Sequence, residues 1–133
     1  MTNNTAIVVF AHGSSVEAAN EGVRAMTAEL ARRGDFSLTD TAFLEMAKPD
    51  LPASAERLIA AGARRLLIVP FFLTLGIHLR RDLPGIVDQL RIIHPGVDFQ
   101  IAPPLEGHPS LVDVMLGRAR DLITENNAAG QTD

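Results

Sequence analysis

The stretch TAIVVFAHGSS, residues 5–15, passes from a nearly unbroken apolar run into a histidine, a glycine and two serines. A strand that is apolar at successive positions, not at alternate ones, is buried on both faces. Such a strand belongs in the middle of a sheet covered on two sides. The run RLLIVPFFL, residues 65–73, has the same character. The runs LTDTAFLEM (38–46) and VDFQIAPPL (97–105) interleave polar residues and suit the sheet edges.

Helical patterns separate these runs. Val16, Ala19, Val23, Met26 and Leu30 step by three and four, and Gly34 closes that helix. Asp50 is a candidate cap for a second helix, with Pro52 in its first turn and Gly62 at its end. A third helix is expected to start near Asp82 and Pro84, to carry Ile86, Leu90 and Ile93 inward, and to stop before Pro95. A fourth follows Pro109 and presents Leu111, Met115, Ala119 and Leu122. Strict βα alternation implies an α/β fold: one open, parallel, four-stranded sheet with helices on both faces. Right-handed crossovers with strands 1 and 3 central lead to the order 2-1-3-4. The ordered body is expected over residues 1–124, with 125–133 as a flexible C-terminal tail.

Composition narrows the class. The chain has 133 residues, enough for one domain with a real core. A formal net charge of −4 and the absence of Trp and Tyr argue against nucleic-acid partners. Without cysteine, disulfides and thiolate metal sites are excluded. The longest apolar runs contain proline and glycine and are too short to span a membrane. The start MTNNTA lacks the basic opening of a signal peptide, so a cytoplasmic protein is expected.

In open α/β sheets, ligands bind beyond the carboxyl ends of the strands, where the strand order reverses. Here the reversal falls between strands 1 and 3. His12 follows the first and His78 the third, so the two imidazoles should face one crevice, with Glu45 on the same rim. Two imidazoles and a carboxylate suit a divalent first-row metal, and either histidine could instead act as a general base or sit in a turn. His94 reads as a structural histidine at a helix end, and His108 as a residue that opens the fourth helix. Gly13 and Gly76 permit a turn or close approach to a ligand. Ser14 and Ser15 could cap the first helix or bind an anion, and Arg80 and Arg81 could dock carboxylates or be solvated. No phosphate-binding glycine motif is present.

The combination of AHGSS, FLEMAKPDL, PFFLTLGIHLRRDLP and APPLEGHPSL, one block after each strand, resembles the class II chelatases. More narrowly it is similar to the small sirohydrochlorin cobaltochelatase and ferrochelatase family, over about residues 6–123. The resemblance implies insertion of Co²⁺ or Fe²⁺ into the tetrapyrrole sirohydrochlorin, on the way to cobalamin or sirohaem, with Ni²⁺ used by a related group. It implies no ATP and no redox cofactor, a homodimer, and His12, His78 and Glu45 as the metal-binding and catalytic residues. Leu75, Ile77, Leu79 and Leu105 would pack against the ring. The chain departs from the family pattern at Ser15, where a basic residue is common, and at Glu106, where a small one is. A metal or tetrapyrrole carrier on the same fold is the alternative reading.

Overall fold

β1 (Thr5–Ala11) is buried along its whole length. It lies between two parallel neighbours, β2 (Leu38–Phe43) and β3 (Arg65–Pro70), and β4 (Asp98–Ile101) pairs with β3. The resulting order, β2-β1-β3-β4, is the one expected. Helices α1 (Glu17–Gly34), α2 (Leu51–Ala60), α3 (Ile77–Ile93) and α4 (Ser110–Gln131) follow the strands in turn. The structure is a computed structural model describing residues 4–131, with side chains to residue 127.

Register divides the side chains between two faces. Ala6, Leu66 and Phe99 form one row and Val8 and Ile68 the next. These rows pack against Leu51, Ala55 and Leu58 of α2 and Leu79, Leu83, Val87 and Leu90 of α3. Asp40 lies in the same plane as Val8, accepting from Ser54 Oγ at 2.8 Å and pairing with Arg57 of α2 at 2.7 Å. On the opposite face, Thr41 stands beside Val9 and its hydroxyl meets that of Thr27 on α1 at 2.7 Å. Ile7 and Val9 are buried there, but Leu67 and Val69 of β3 stay half-buried.

The helices depart from expectation in four places. The inward face of α1 is set by Asn20 and Thr27, with Val23 and Leu30 half-buried, while Val16 and Met26 point to solvent. Polar groups bonded to partners occupy positions that apolar periodicity alone assigns elsewhere. α3 begins at Ile77, with Gly76 as its N-cap, and runs through Pro84. The proline deprives only the carbonyl of exposed Arg80, which water can serve. That earlier start turns Leu79, Leu83, Val87 and Leu90 inward and leaves Ile93 exposed. Of the segment 125–133 expected as a flexible tail, residues 125–131 continue α4 as helix, and 132–133 lie outside the described residues. Met115 and Leu122 of α4, expected on an inward face, are exposed. Among the described residues no helix is long and apolar enough to cross a membrane.

Truncating Leu66, which is wholly buried at the sheet centre, tests this core. Leu66→Ala is expected to lower unfolding free energy by about 2–5 kcal/mol in urea denaturation.

Candidate metal and tetrapyrrole site

The site begins as an extension of the β1–β2 ladder. Beyond the strand ends, Leu44 N–H donates to Ala11 O at 2.9 Å and Glu45 N–H to His12 O at 3.1 Å. These bonds hold the two loops side by side, and Phe43 N–H closes the second loop on Pro49 O at 2.8 Å. Gly13, at φ +91°, lies so close that a Cβ would stand 1.8 Å from Glu45 O. Only glycine fits both the dihedral and the contact.

His12 is therefore delivered to Glu45 by backbone. Its Nε2 lies 3.4 Å from Glu45 Oε1, with both side chains more than half exposed (60% and 58%). Its Nδ1 is 3.1 Å from Gly13 O. A carbonyl only accepts, so Nδ1 carries a proton when it bonds Gly13 O, and Nε2 faces Glu45, where it donates to the carboxylate when protonated and offers its lone pair to a metal when not. Metal-ligating histidines are oriented in this way.

His78 stands in the first turn of α3, exposed. It shares a cavity of about 370 Å³ with His12, lined also by Leu44, Phe72, Ile77 and Asp82. The two imidazoles thus face one crevice at the switch point between β1 and β3. Glu45 lies over the Leu44 rim, in an adjoining hollow with Lys48 and Asp50. Among the described residues, no three His, Asp or Glu side chains are close enough to hold a metal ion together. The structure pairs His12 with Glu45 and His12 with His78, without gathering all three.

The remaining sequence candidates fall around this centre. Gly76 lines the cavity. Arg80 and Arg81 are exposed on α3, the first 3.4 Å from Leu75 O and the second 3.4 Å from Asp82 Oδ1. Ser14 Oγ accepts from Val16 N–H at 3.0 Å, a turn just ahead of α1, whose N-cap is Val16 and carries no side-chain bond. Of the apolar residues expected against a ring, Ile77 is open (83% exposed), Leu75 and Leu105 are half-buried, and Leu79 belongs to the core. His94 occupies the C-cap of α3 and His108 Nδ1 accepts from Ser110 N–H at 3.1 Å at the start of α4, the positions expected of them. Leu105 and Glu106 donate backbone N–H groups to Phe72 O and Leu73 O, so the last loop backs the cavity wall.

Sequence reasoning missed Asp82, Leu44 and Phe72 on the cavity, and Asn20 beneath the His12 loop. Asp82 was discoverable, since it follows His78 by one helical turn once α3 starts at Ile77.

A parallel 2-1-3-4 sheet with two histidines on one open cleft at its switch point, the first beside a carboxylate, defines the class as an open-sheet α/β protein. The chain belongs to the CbiX family, whose model matches residues 6–122. It is 32% identical over 97 residues to the sirohydrochlorin cobaltochelatase of Saccharolobus solfataricus, covering 68% of this chain and 76% of that one. The protein of the same name from Priestia megaterium is 28% identical over 118 residues; the match takes 89% of this chain but only 38% of the relative. Among solved structures, a CbiX protein from Marinobacter aquaeolei VT8 superposes with a TM-score of 0.75 at 28% identity, over 94% of this chain and 98% of that one. The sirohydrochlorin chelatase SirB of Bacillus subtilis subspecies spizizenii, in complex with cobalt, shares the fold at a TM-score of 0.82 and 22% identity. That match takes 89% of this chain and half of SirB.

Gly13→Ala is expected to cost about 1–3 kcal/mol of stability in urea denaturation, through the strained dihedral and the clash at Glu45 O. Gly22→Ala, on α1 with open space around it, should instead be neutral or stabilise by about 0.5–1 kcal/mol.

Proposed function

We propose that this protein inserts a divalent metal, Co²⁺ or Fe²⁺, into sirohydrochlorin, as the names of its relatives indicate for them. The observation that carries the reading is the His12 ring, whose Nδ1 is engaged by Gly13 O and whose Nε2 is left toward Glu45, on the cavity shared with His78. The metal is a substrate here, and an open arrangement suits it. Two imidazoles, with Glu45 as a third ligand or proton acceptor, fill part of the coordination sphere and leave positions for the ring nitrogens.

Insertion exchanges the metal's water ligands for four ring nitrogens and releases two pyrrole protons. As the metal passes to the ring, the His12 Nε2 and His78 nitrogens that it leaves can accept those protons, directly or through water, and Glu45 offsets the charge. Nothing in this step consumes ATP or transfers electrons, so neither ATP nor a redox cofactor is part of the reading. Ile77 on the cavity wall, with exposed Met46 and Leu73 on the loops after β2 and β3, offers apolar surface to the ring face, and Arg80 and Arg81 offer forks to its carboxylates. Metal and tetrapyrrole are the proposed partners, in the cytoplasm, without nucleic acid or membrane.

Anaerobic mixing with metal-free sirohydrochlorin and Co²⁺ or Fe²⁺, followed by the ring's visible absorption, tests the reading. Insertion should outpace the uncatalysed reaction, and a His12→Ala, His78→Ala variant should lose about 10²–10⁴-fold of that rate. Metal binding without acceleration would leave the carrier reading in its place.

A second copy of the chain is the remaining proposed partner. Leu111, Val112, Met115, Leu116, Leu122 and Ile123 fall on one side of α4, and all but Leu111 are exposed. Leu67 and Val69 present a half-buried apolar patch on the sheet. An apolar stripe of this kind and such a patch are what a self-complementary interface needs. Sedimentation velocity should show a dimer, and Met115→Asp with Leu122→Asp should return a folded monomer.

A further inference from the structure

The His12–Glu45 pair poses a problem of positioning. Both side chains are largely exposed, so packing does not hold them together, and both ride on loops. Besides the backbone bonds that join them, the loops are braced from beneath, by the first turns of α1.

Asn20 is 2% exposed and uses both amide protons and its oxygen in hydrogen bonds. Its Oδ1 accepts from Ser14 N–H at 2.9 Å. Its Nδ2 donates to Ser14 O at 2.8 Å and to Glu17 Oε2 at 3.1 Å. Both backbone groups of Ser14, two residues past His12, are thus bound to one buried side chain. A buried asparagine within a helix is a poor choice for the helix itself, where alanine or leucine would serve better. None of these amide bonds is spent on a helical backbone group; apart from the bond to Glu17 they go to the loop.

One turn further on, Arg24 does the corresponding work for the second loop. Its Nη1 meets Glu17 Oε1 at 2.6 Å and also Glu21 Oε1, its Nη2 reaches Lys48 O at 3.5 Å, and its guanidinium sits 5.2 Å from the Phe43 ring centre. Phe43 ends β2, and Lys48 lies on the far side of the loop that carries Glu45. Glu17 joins the two braces, receiving Asn20 on one oxygen and Arg24 on the other. Arg24 first, and Asn20 second, hold its carboxyl below the usual carboxylate range.

We infer that Asn20 and Arg24, linked through Glu17, are positioning residues that set the His12 loop against the Glu45 loop and so preform the metal-binding edge of the cleft. The inference rests on the proposal that His12 binds the metal, and deepens it. Neither residue touches metal or ring; each acts through a loop.

The test is a double-mutant cycle on Co²⁺ affinity, measured by competition with a chromophoric chelator, for the folded full chain. The variants are Asn20→Ala, His12→Ala and the two combined, with thermal melts to confirm folding at the assay temperature. Asn20→Ala is expected to weaken Co²⁺ binding by about tenfold or more, the loss typical of groups that orient a ligand. In the His12→Ala background the same change should cost less than about twofold. A role in stability alone would not produce that coupling. Equal losses in both backgrounds, or a folded Asn20→Ala that binds Co²⁺ as tightly as the parent, would overturn the inference while leaving the metal reading of His12 intact. A His12→Ala protein with undiminished Co²⁺ binding would remove both. Should Asn20→Ala not fold, Arg24→Met carries the same cycle: it keeps the stem over Phe43 at a part-exposed position and removes the guanidinium, and it too must show coupling to His12.

Discussion

The site depends on backbone hydrogen bonds that carry the β1–β2 ladder past the end of both strands. Leu44 N–H to Ala11 O and Glu45 N–H to His12 O make the two loops a continuation of the sheet. A pair of exposed side chains on free loops would hold their geometry at the cost of their own conformational entropy. Here the geometry comes with the register, and Gly13 is what allows the strands to stay that close beyond their ends. The imidazole is then oriented by two contacts, Nδ1 to Gly13 O and Nε2 to Glu45 Oε1.

α1 carries the second layer of the same design. Its inner face does not read as apolar, because Asn20 and Thr27 occupy core positions and satisfy their polar groups on the 12–16 loop and on Thr41 and the Val23 carbonyl. Buried polar groups of this kind stabilise little over an apolar packing, but they tolerate few alternative arrangements. Among the described residues no buried side-chain N or O atom lacks a partner. On the α1 face of the sheet the buried helix positions are thus held by hydrogen bonds, whereas the α2–α3 face, which takes in Ala6, Val8, Phe10 and Ala42, is held mainly by aliphatic packing, with Asp40 bonded to Ser54 and Arg57 at its edge.

α4 stands apart from both. Its apolar side chains lie largely in solvent, while Leu67 and Val69 remain half-buried on the sheet. The hydrophobic effect is indifferent to which chain supplies the cover, so an amphipathic helix that does not complete its own domain is suited to complete another.

How much of this was legible beforehand differs by level. The continuous apolar runs at 5–11 and 65–73, the helical patterns between strands and the handedness of crossovers determined the sheet order, and with it the meeting of His12 and His78 at one crevice. Those are consequences of period and chirality, which a sequence carries directly. The sequence also placed Glu45 on the right rim, because strands 1 and 2 end level in a parallel pair. It misread the inner face of α1, since periodicity counts apolar residues and Asn20 and Thr27 are polar. It also started α3 too late, taking Asp82 and Pro84 for a first turn when α3 already runs from Ile77. Only the tertiary structure decided that Nε2 of His12 faces Glu45, that Leu44 and Phe72 join the cavity wall, and that His12, Glu45 and His78 share an edge without closing into one cluster. Those outcomes turn on how the loops after β1, β2 and β3 approach one another, and no local pattern encodes a distance between residues that the fold alone brings together.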